Sequence, residues 1–288
     1  MNKFVGTGVA LITPFDKDNN VDYFALKRLV NFQIDNGIDY LVILGTTGEA
    51  VTLNNSERKQ VIQTIIDTNN KRLPLVLGIG SNNTKQLVED IKNTDLSNTD
   101  AILSVSPFYN KPTQEGIYQH FKAVAKSTKK DIILYNVPHR TGKNIDPKTI
   151  IRLAKEFNNI IAIKDAASDM QQTFELINNK PKDFLVISGD DGLALSSVLA
   201  GGSGVISVIG QGMPNEFTKM INLGLEGKNK EAFEIHYRLM KLTDLIFQEG
   251  NPAGIKAILK HKNICETNVR LPLINVSNEL NKKIIAEL

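Results

Sequence analysis

The feature that most constrains this chain is a repeated alternation, in which short apolar runs are separated by longer segments whose apolar residues recur at helical spacing. Eight runs have strand character: residues 8–13, 40–44, 75–77, 101–105, 132–135, 160–164, 185–188 and 205–208. Several are apolar throughout, as in Leu41-Val42-Ile43-Leu44 and Ile160-Ile161-Ala162-Ile163, which a parallel sheet covered on both faces requires. Between them, residues 22–36 place Leu26, Leu29, Val30 and Ile34 on one helical face, and residues 56–68 do the same with Val61, Ile62, Ile65 and Ile66. Gly37 and Asn54-Asn55 supply the boundary signals.

Eight such units predict an α/β fold, an eight-stranded (β/α)8 TIM barrel. The 288 residues allow it, since such barrels need roughly 250 residues as one unit. From about Pro214 the pattern turns helical, with helices expected over 230–247 and 252–262 and a final turn or two after Ser277. No Pro/Gly/Ser-rich linker interrupts the chain. The expected organisation is a catalytic barrel over 1–224 with a C-terminal helical extension over 225–288 packed on it.

Composition narrows the function classes. With 41% hydrophobic and 23% charged residues the chain can bury a large core and is not disordered. Its 34 basic and 31 acidic residues are evenly spread, which argues against a nucleic-acid or membrane surface. Residues 1–5 lack the apolar core of a signal peptide, and no run nears the roughly 18 apolar residues of a membrane span. The lone Cys265 allows no intrachain disulfide and fits the cytoplasm. His120, His139, His236 and His261 lack the spacing of a zinc site, so no metal or cofactor is expected.

A barrel of this kind builds its site at the C-terminal ends of the strands. Lys164 closes an apolar strand there, where an ammonium is costly unless paired or neutralised. A neutral amine attacks a ketone, and the imine it forms is an electron sink for carbanion chemistry. A structural ion pair with Asp165 fits the same spacing equally well. Tyr135 ends the neighbouring strand, and with Tyr109 and Thr47 it offers hydroxyls for moving protons, although each taken singly suits a core or capping role. Arg140 offers a planar fork for a carboxylate, or for a surface ion pair. The glycines at 201, 202 and 204 precede their strand, and Asp190 and Asp191 would repel phosphate, so these glycines are read as turns.

The motifs GTTGE over 45–49, YNVPHRTG over 135–142 and IAIKDA over 161–166 resemble the dihydrodipicolinate synthase family. Further similarity at 7–15, 188–191, 204–208 and 271–273 extends the resemblance over nearly the whole chain. It implies that Lys164 forms a Schiff base with pyruvate and that Thr47, Tyr135 and Tyr109 relay protons, Tyr109 reaching in from a neighbouring subunit. By the same resemblance Thr46 and Thr47 hold the pyruvate carboxylate, Arg140 holds the carboxylate of L-aspartate 4-semialdehyde, and Gly189 and Ile206 contribute backbone groups. The implied assembly is a homotetramer built as a dimer of dimers, and the implied product is 4-hydroxy-tetrahydrodipicolinate, on the route to lysine and diaminopimelate.

Aldolases of sialic acid and keto-deoxy-sugar acids share the lysine and the strand-five tyrosine, so Arg140 and Thr46 are what favour the synthase branch. A catalytically silent barrel is disfavoured because Lys164 and the hydroxyls are present, and a metal-dependent aldolase because no ligand set is apparent. Two departures stand out. Where lysine-inhibited relatives bind the amino acid through histidines, a glutamate and a tyrosine, this chain has Ala50, Asn55, Arg58, Asn82, Gln86 and Phe108, which predicts weak or absent feedback. Gly254 stands in place of the family's usual second proline in the loop over 251–254.

Overall fold

All eight expected strands form: β1 (Gly6–Ala10), β2 (Tyr40–Ile43), β3 (Leu75–Gly78), β4 (Ala101–Val105), β5 (Asp131–Asn136), β6 (Ile160–Asp165), β7 (Leu185–Ser188) and β8 (Gly204–Ser207). Each pairs in parallel with the next, and β1 pairs with β8, so the sheet closes into a barrel with no free edge. The structure is a computed structural model describing residues 3–288; Met1 and Asn2, the first two residues of the expected barrel segment, lie outside the described residues.

The helices in chain order are α1 (Tyr23–Asp35), α2 (Asn55–Asn69), α3 (Thr84–Asn93), α4 (Gln114–Ser127), α5 (Pro138–Thr141) and α6 (Pro147–Glu156). They continue as α7 (Met170–Asn179), α8 (Ala194–Leu199), α9 (Pro214–Leu225), α10 (Asn229–Phe247), α11 (Ala253–His261) and α12 (Asn278–Ala286). Local chemistry sets their starts. The Asp22 carboxylate accepts from the backbone N–H of Ala25, and Asn54 with Glu57 forms a reciprocal capping box at the head of α2. Ser277 caps α12 by accepting from Leu280.

Strand pleating divides the core in two. Inward side chains such as Val42, Val76, Leu103, Ile133, Ile187 and Ile206 fill the barrel. Outward ones such as Leu41, Ile43, Leu77, Leu134, Ile163 and Val186 pack beneath the helices. A helix residue buried in that outer layer, Leu29 for example, stabilises the fold enough that truncation to Ala costs about 2–5 kcal/mol.

β1 begins and ends earlier than its apolar run. The Ile12 N–H goes to the buried Gln211 side chain at 3.0 Å, and the Gln211 amide in turn donates to the Ala10 carbonyl at 2.8 Å. A glutamine from the turn after β8 therefore takes over where a strand partner would have stood. Beyond α9, the helix α10 packs along α9 and α8, and α11 and α12 pack against α10. Gly254 accounts for the closeness at α11. A Cβ at this position would stand 2.1 Å from the carbonyl oxygen of Ile246, so only glycine lets the start of α11 approach the end of α10 this nearly.

Candidate active site

Lys164 and Tyr135 are register partners on adjacent strands. Their shared face depends on a one-residue slip in the β5/β6 pairing, where Ile132 opposes Ile160 but Ile133 opposes Ala162. Ile161 is thus left over, and the slip brings Ala162 and Lys164 to the inner face in phase with Ile133 and Tyr135. Lys164 is only 6% exposed, and its Nζ lies 4.5 Å from the centroid of the Tyr135 ring.

The ion pair with Asp165 does not form. The next residue along a strand points to the opposite face, and Asp165 accepts from Asn136 Nδ2 at 2.8 Å and from Gln172 Nε2 at 3.1 Å. Burial raises the Asp165 carboxyl above the usual carboxylate range, with these donors opposing the shift. Lys164 pairs with no carboxylate among the described residues, and the Tyr135 hydroxyl has no hydrogen-bond partner there. Gly189 faces the lysine stem: a Cβ on it would stand 3.0 Å from Lys164 Cε and 2.8 Å from Ala166 Cβ. Ile206 is buried on the same inner face of β8.

The GTTGE segment turns at the end of β2 through two short 3-10 turns. Thr46 is exposed at the mouth and Thr47 is buried. Three elements clamp this turn. Thr13 Oγ1 donates to the Gly48 carbonyl at 2.6 Å, and Asn251 Nδ2 donates to Thr47 Oγ1 at 2.9 Å. On α11, Lys256 pairs with Glu49 at 2.6 Å, both side chains being essentially inaccessible. Lys256 also donates to the Asn268 carbonyl at 2.7 Å and lies over the Phe15 ring, and the Arg270 N–H donates to the second Glu49 oxygen at 2.9 Å. Burial lowers Lys256 below the usual lysine value, with Glu49 opposing the shift.

Asn251 and Lys256 are the site residues that sequence reasoning missed. Both follow β8 in the C-terminal helical region: Asn251 opens the 251–254 loop that lacks the second proline, and Lys256 stands as a lone lysine inside an apolar helix, Gly254-Ile255-Lys256-Ala257-Ile258.

Arg140 sits exposed on α5 and pairs with no carboxylate among the described residues, so its guanidinium fork is open to a ligand. Beneath it, Asn136 Nδ2 donates to Asn144 Oδ1 at 2.8 Å, and Asn144 Nδ2 donates to Gln172 Oε1 at 2.8 Å. This amide network, with Asp165 at its centre, ties the Arg140 loop to the ends of β5 and β6. His139 is held below the usual histidine value by burial and by the Arg140 charge, with Asp190 opposing.

Tyr109, expected to reach in from a neighbouring subunit, faces solvent in its own chain. It is 88% exposed and held in the left-handed region at φ 75°. Such strained non-glycine positions gather at this face: Leu44, Glu49, Tyr109, Lys111 and Ser168 all follow strand ends. Asp190 and Asp191 serve turns, the first accepting from Ser168 and the Gly192 N–H, the second from the N–H groups of Val208 and Ile209. Gly201 and Gly204 have positive φ and turn the chain from α8 into β8. Among the described residues no group of three or more His, Cys, Asp or Glu side chains could hold a metal ion, and no helix is long and apolar enough to cross a membrane.

Fold and site together define a (β/α)8 barrel with a buried lysine, without a carboxylate partner among the described residues, near the C-terminal end of β6. A profile of the dihydrodipicolinate synthetase family matches residues 3–288. The 4-hydroxy-tetrahydrodipicolinate synthase of Flavobacterium psychrophilum is 58% identical over 284 residues, covering 99% of this chain and 97% of that one. Among solved structures, the Acinetobacter baumannii dihydrodipicolinate synthase complexed with pyruvate superposes with a TM-score of 0.95 at 38% identity, covering 98% of this chain and 97% of that one. A monomeric dihydrodipicolinate synthase variant gives a TM-score of 0.95 at 35% identity, covering 99% and 97%. This chain belongs to the dihydrodipicolinate synthetase family.

Proposed function

We propose that this chain condenses pyruvate with L-aspartate 4-semialdehyde to give 4-hydroxy-tetrahydrodipicolinate, the reaction for which its relatives are named. The observation that carries the reading is Lys164, buried without a carboxylate partner and in register with Tyr135. Nζ attacks C2 of pyruvate and water leaves, giving an imine. Loss of a proton from C3 gives an enamine, whose carbon adds to the aldehyde. The amino group of the second substrate then attacks the imine carbon, closing the ring and freeing Lys164.

Each proton transfer needs a hydroxyl within reach, which is the role assigned to Tyr135 and Thr47. Thr46 and Thr47 take the pyruvate carboxylate, the backbone at Gly189 and Ile206 lines the bound keto acid, and the free fork of Arg140 takes the carboxylate of the semialdehyde. No cofactor or metal is assigned a part. The test is trapping: incubation with pyruvate and borohydride, then peptide mapping, places a reduced adduct on Lys164. An adduct elsewhere, or full activity in Lys164→Ala, overturns the mechanism.

Tyr109 is assigned to the site of a second copy, in a homotetramer built as a dimer of dimers. Its support is the solvent exposure of Val51 on the loop after β2 and of Phe108 and Tyr109 on the loop after β4, large side chains that a neighbouring subunit would cover. The cytoplasm is the assigned compartment, in keeping with a chain whose one cysteine, Cys265, can form no intrachain disulfide.

A further inference from the structure

Asn251 stands in the loop between α10 and α11, and its Nδ2 donates to Thr47 Oγ1 at 2.9 Å. This is the one hydrogen bond the Thr47 hydroxyl makes among the described residues. The Asn251 Oδ1 is buried without a partner among the described residues, an unfavourable arrangement. A hydroxyl that accepts from an amide must aim its own proton elsewhere. The bond therefore sets the direction of the Thr47 O–H as well as its place. The geometry is held firmly, because the same two segments are joined by the buried Lys256–Glu49 pair at 2.6 Å.

We propose that Asn251 is a positioning residue for the condensation: it keeps Thr47 as a hydrogen-bond acceptor on one side, so that the Thr47 O–H donates to the reacting groups on the other. A hydroxyl that accepts on one side keeps its own proton available for transfer on the other. The inference rests on the reading of Thr47 as a relay hydroxyl. It assigns part of the catalytic geometry to the C-terminal extension.

The test compares Thr47→Val, Asn251→Ala, Asn251→Asp and the Thr47→Val/Asn251→Ala double variant with the parent in steady-state assays. Asn251→Asp is isosteric, but its carboxylate can only accept, so it draws the Thr47 proton away from the reaction. Both Asn251 variants are expected to lose about tenfold to a hundredfold in kcat, with KM for pyruvate moving less than roughly threefold. In the Thr47→Val background the Asn251→Ala change is expected to cost nothing further, because its effect runs through the missing hydroxyl. Each variant is expected still to yield the reduced pyruvate adduct on Lys164, which shows an assembled site. Parental kcat in both Asn251 variants, or losses that multiply in the double variant, overturns the proposal. Parental kcat in Thr47→Val alone overturns the relay reading instead.

Discussion

Tyr135 and Lys164 meet across β5 and β6 with the lysine Nζ 4.5 Å from the centre of the tyrosine ring, so the ring packs the amine while the hydroxyl beyond it stays unbonded to the described residues. Packing and chemistry are thus separable in this one side chain. Tyr135→Phe keeps the ring and removes only the hydroxyl. Its kcat is expected to fall by about 10²- to 10⁴-fold, the range for losing a proton-transfer group, with the thermal midpoint little changed. Steady-state kinetics beside a melting curve check this, and a kcat equal to the parent's would remove Tyr135 from the chemistry.

The strands were legible because parallel strands covered on both faces are built on nearly continuous apolar runs, and such a run marks each of the eight in the sequence, several of them without interruption. The same uniformity hid which way they face. In Ile160-Ile161-Ala162-Ile163 no alternation marks the inner residues, and the slip that brings Lys164 inward is a property of the pairing, not of the run. The end of β1 was misjudged because its capping group, Gln211, comes from about two hundred residues away in the chain, a buried side chain standing in for backbone. Lys164, Tyr135, Thr47 and Arg140 could be singled out as candidates from their places at strand ends or in the loops that follow them. Asn251 and Lys256 were not, since helical spacing tells that α11 is buried but not that it is buried against the turn after β2.

The Lys256–Glu49 pair gives a stability prediction. Lys256→Met keeps the length of the side chain but leaves the Glu49 carboxylate buried with only the Arg270 N–H. Breaking a buried pair from one side costs about 3–5 kcal/mol, because the remaining charge is uncompensated. Adding Glu49→Gln to that variant is expected to recover part of the loss. Denaturant titration of the three proteins decides the matter: a double variant as unstable as Lys256→Met alone would show that the charge left behind is not the cause.

Feedback by L-lysine is expected to be weak or absent. Three of the six side chains at the matching positions are already engaged with their own chain: Arg58 donates to the Ala50 carbonyl at 2.7 Å, Asn82 to the Phe108 carbonyl at 3.2 Å, and Gln86 to Asp90 at 2.8 Å. Gln86 offers an ammonium no charge, and Arg58 repels one. Steady-state rates with added L-lysine should stay at the level of the untreated enzyme, and inhibition in the micromolar range would overturn this expectation.

His120 makes the fold sensitive to acid in a definite window. It is buried between α3 and α4, its Nδ1 lies 2.9 Å from Thr84 Oγ1, its Nε2 has no partner among the described residues, and burial lowers its pKa to about 4. Above pH 6.5, the ordinary histidine value, both the folded and unfolded chains keep the ring neutral and the residue contributes nothing to pH dependence. As pH falls from there toward about 4 the unfolded chain takes up the proton while the folded chain refuses it, so stability is lost across that interval, up to about 3 kcal/mol in all. Asp165 and Asp191 act in the opposite sense. Burial raises their folded-state values, so the folded chain takes up those protons first and gains stability as pH falls. Because these carboxylates are common to both proteins, comparing the parent with His120→Phe isolates the histidine. The variant keeps a ring beside Phe121 but cannot titrate, and its thermal midpoint is expected to fall less steeply between pH 6.5 and 4 than the parent's. Parallel curves would show that His120 is not the group that senses the acid.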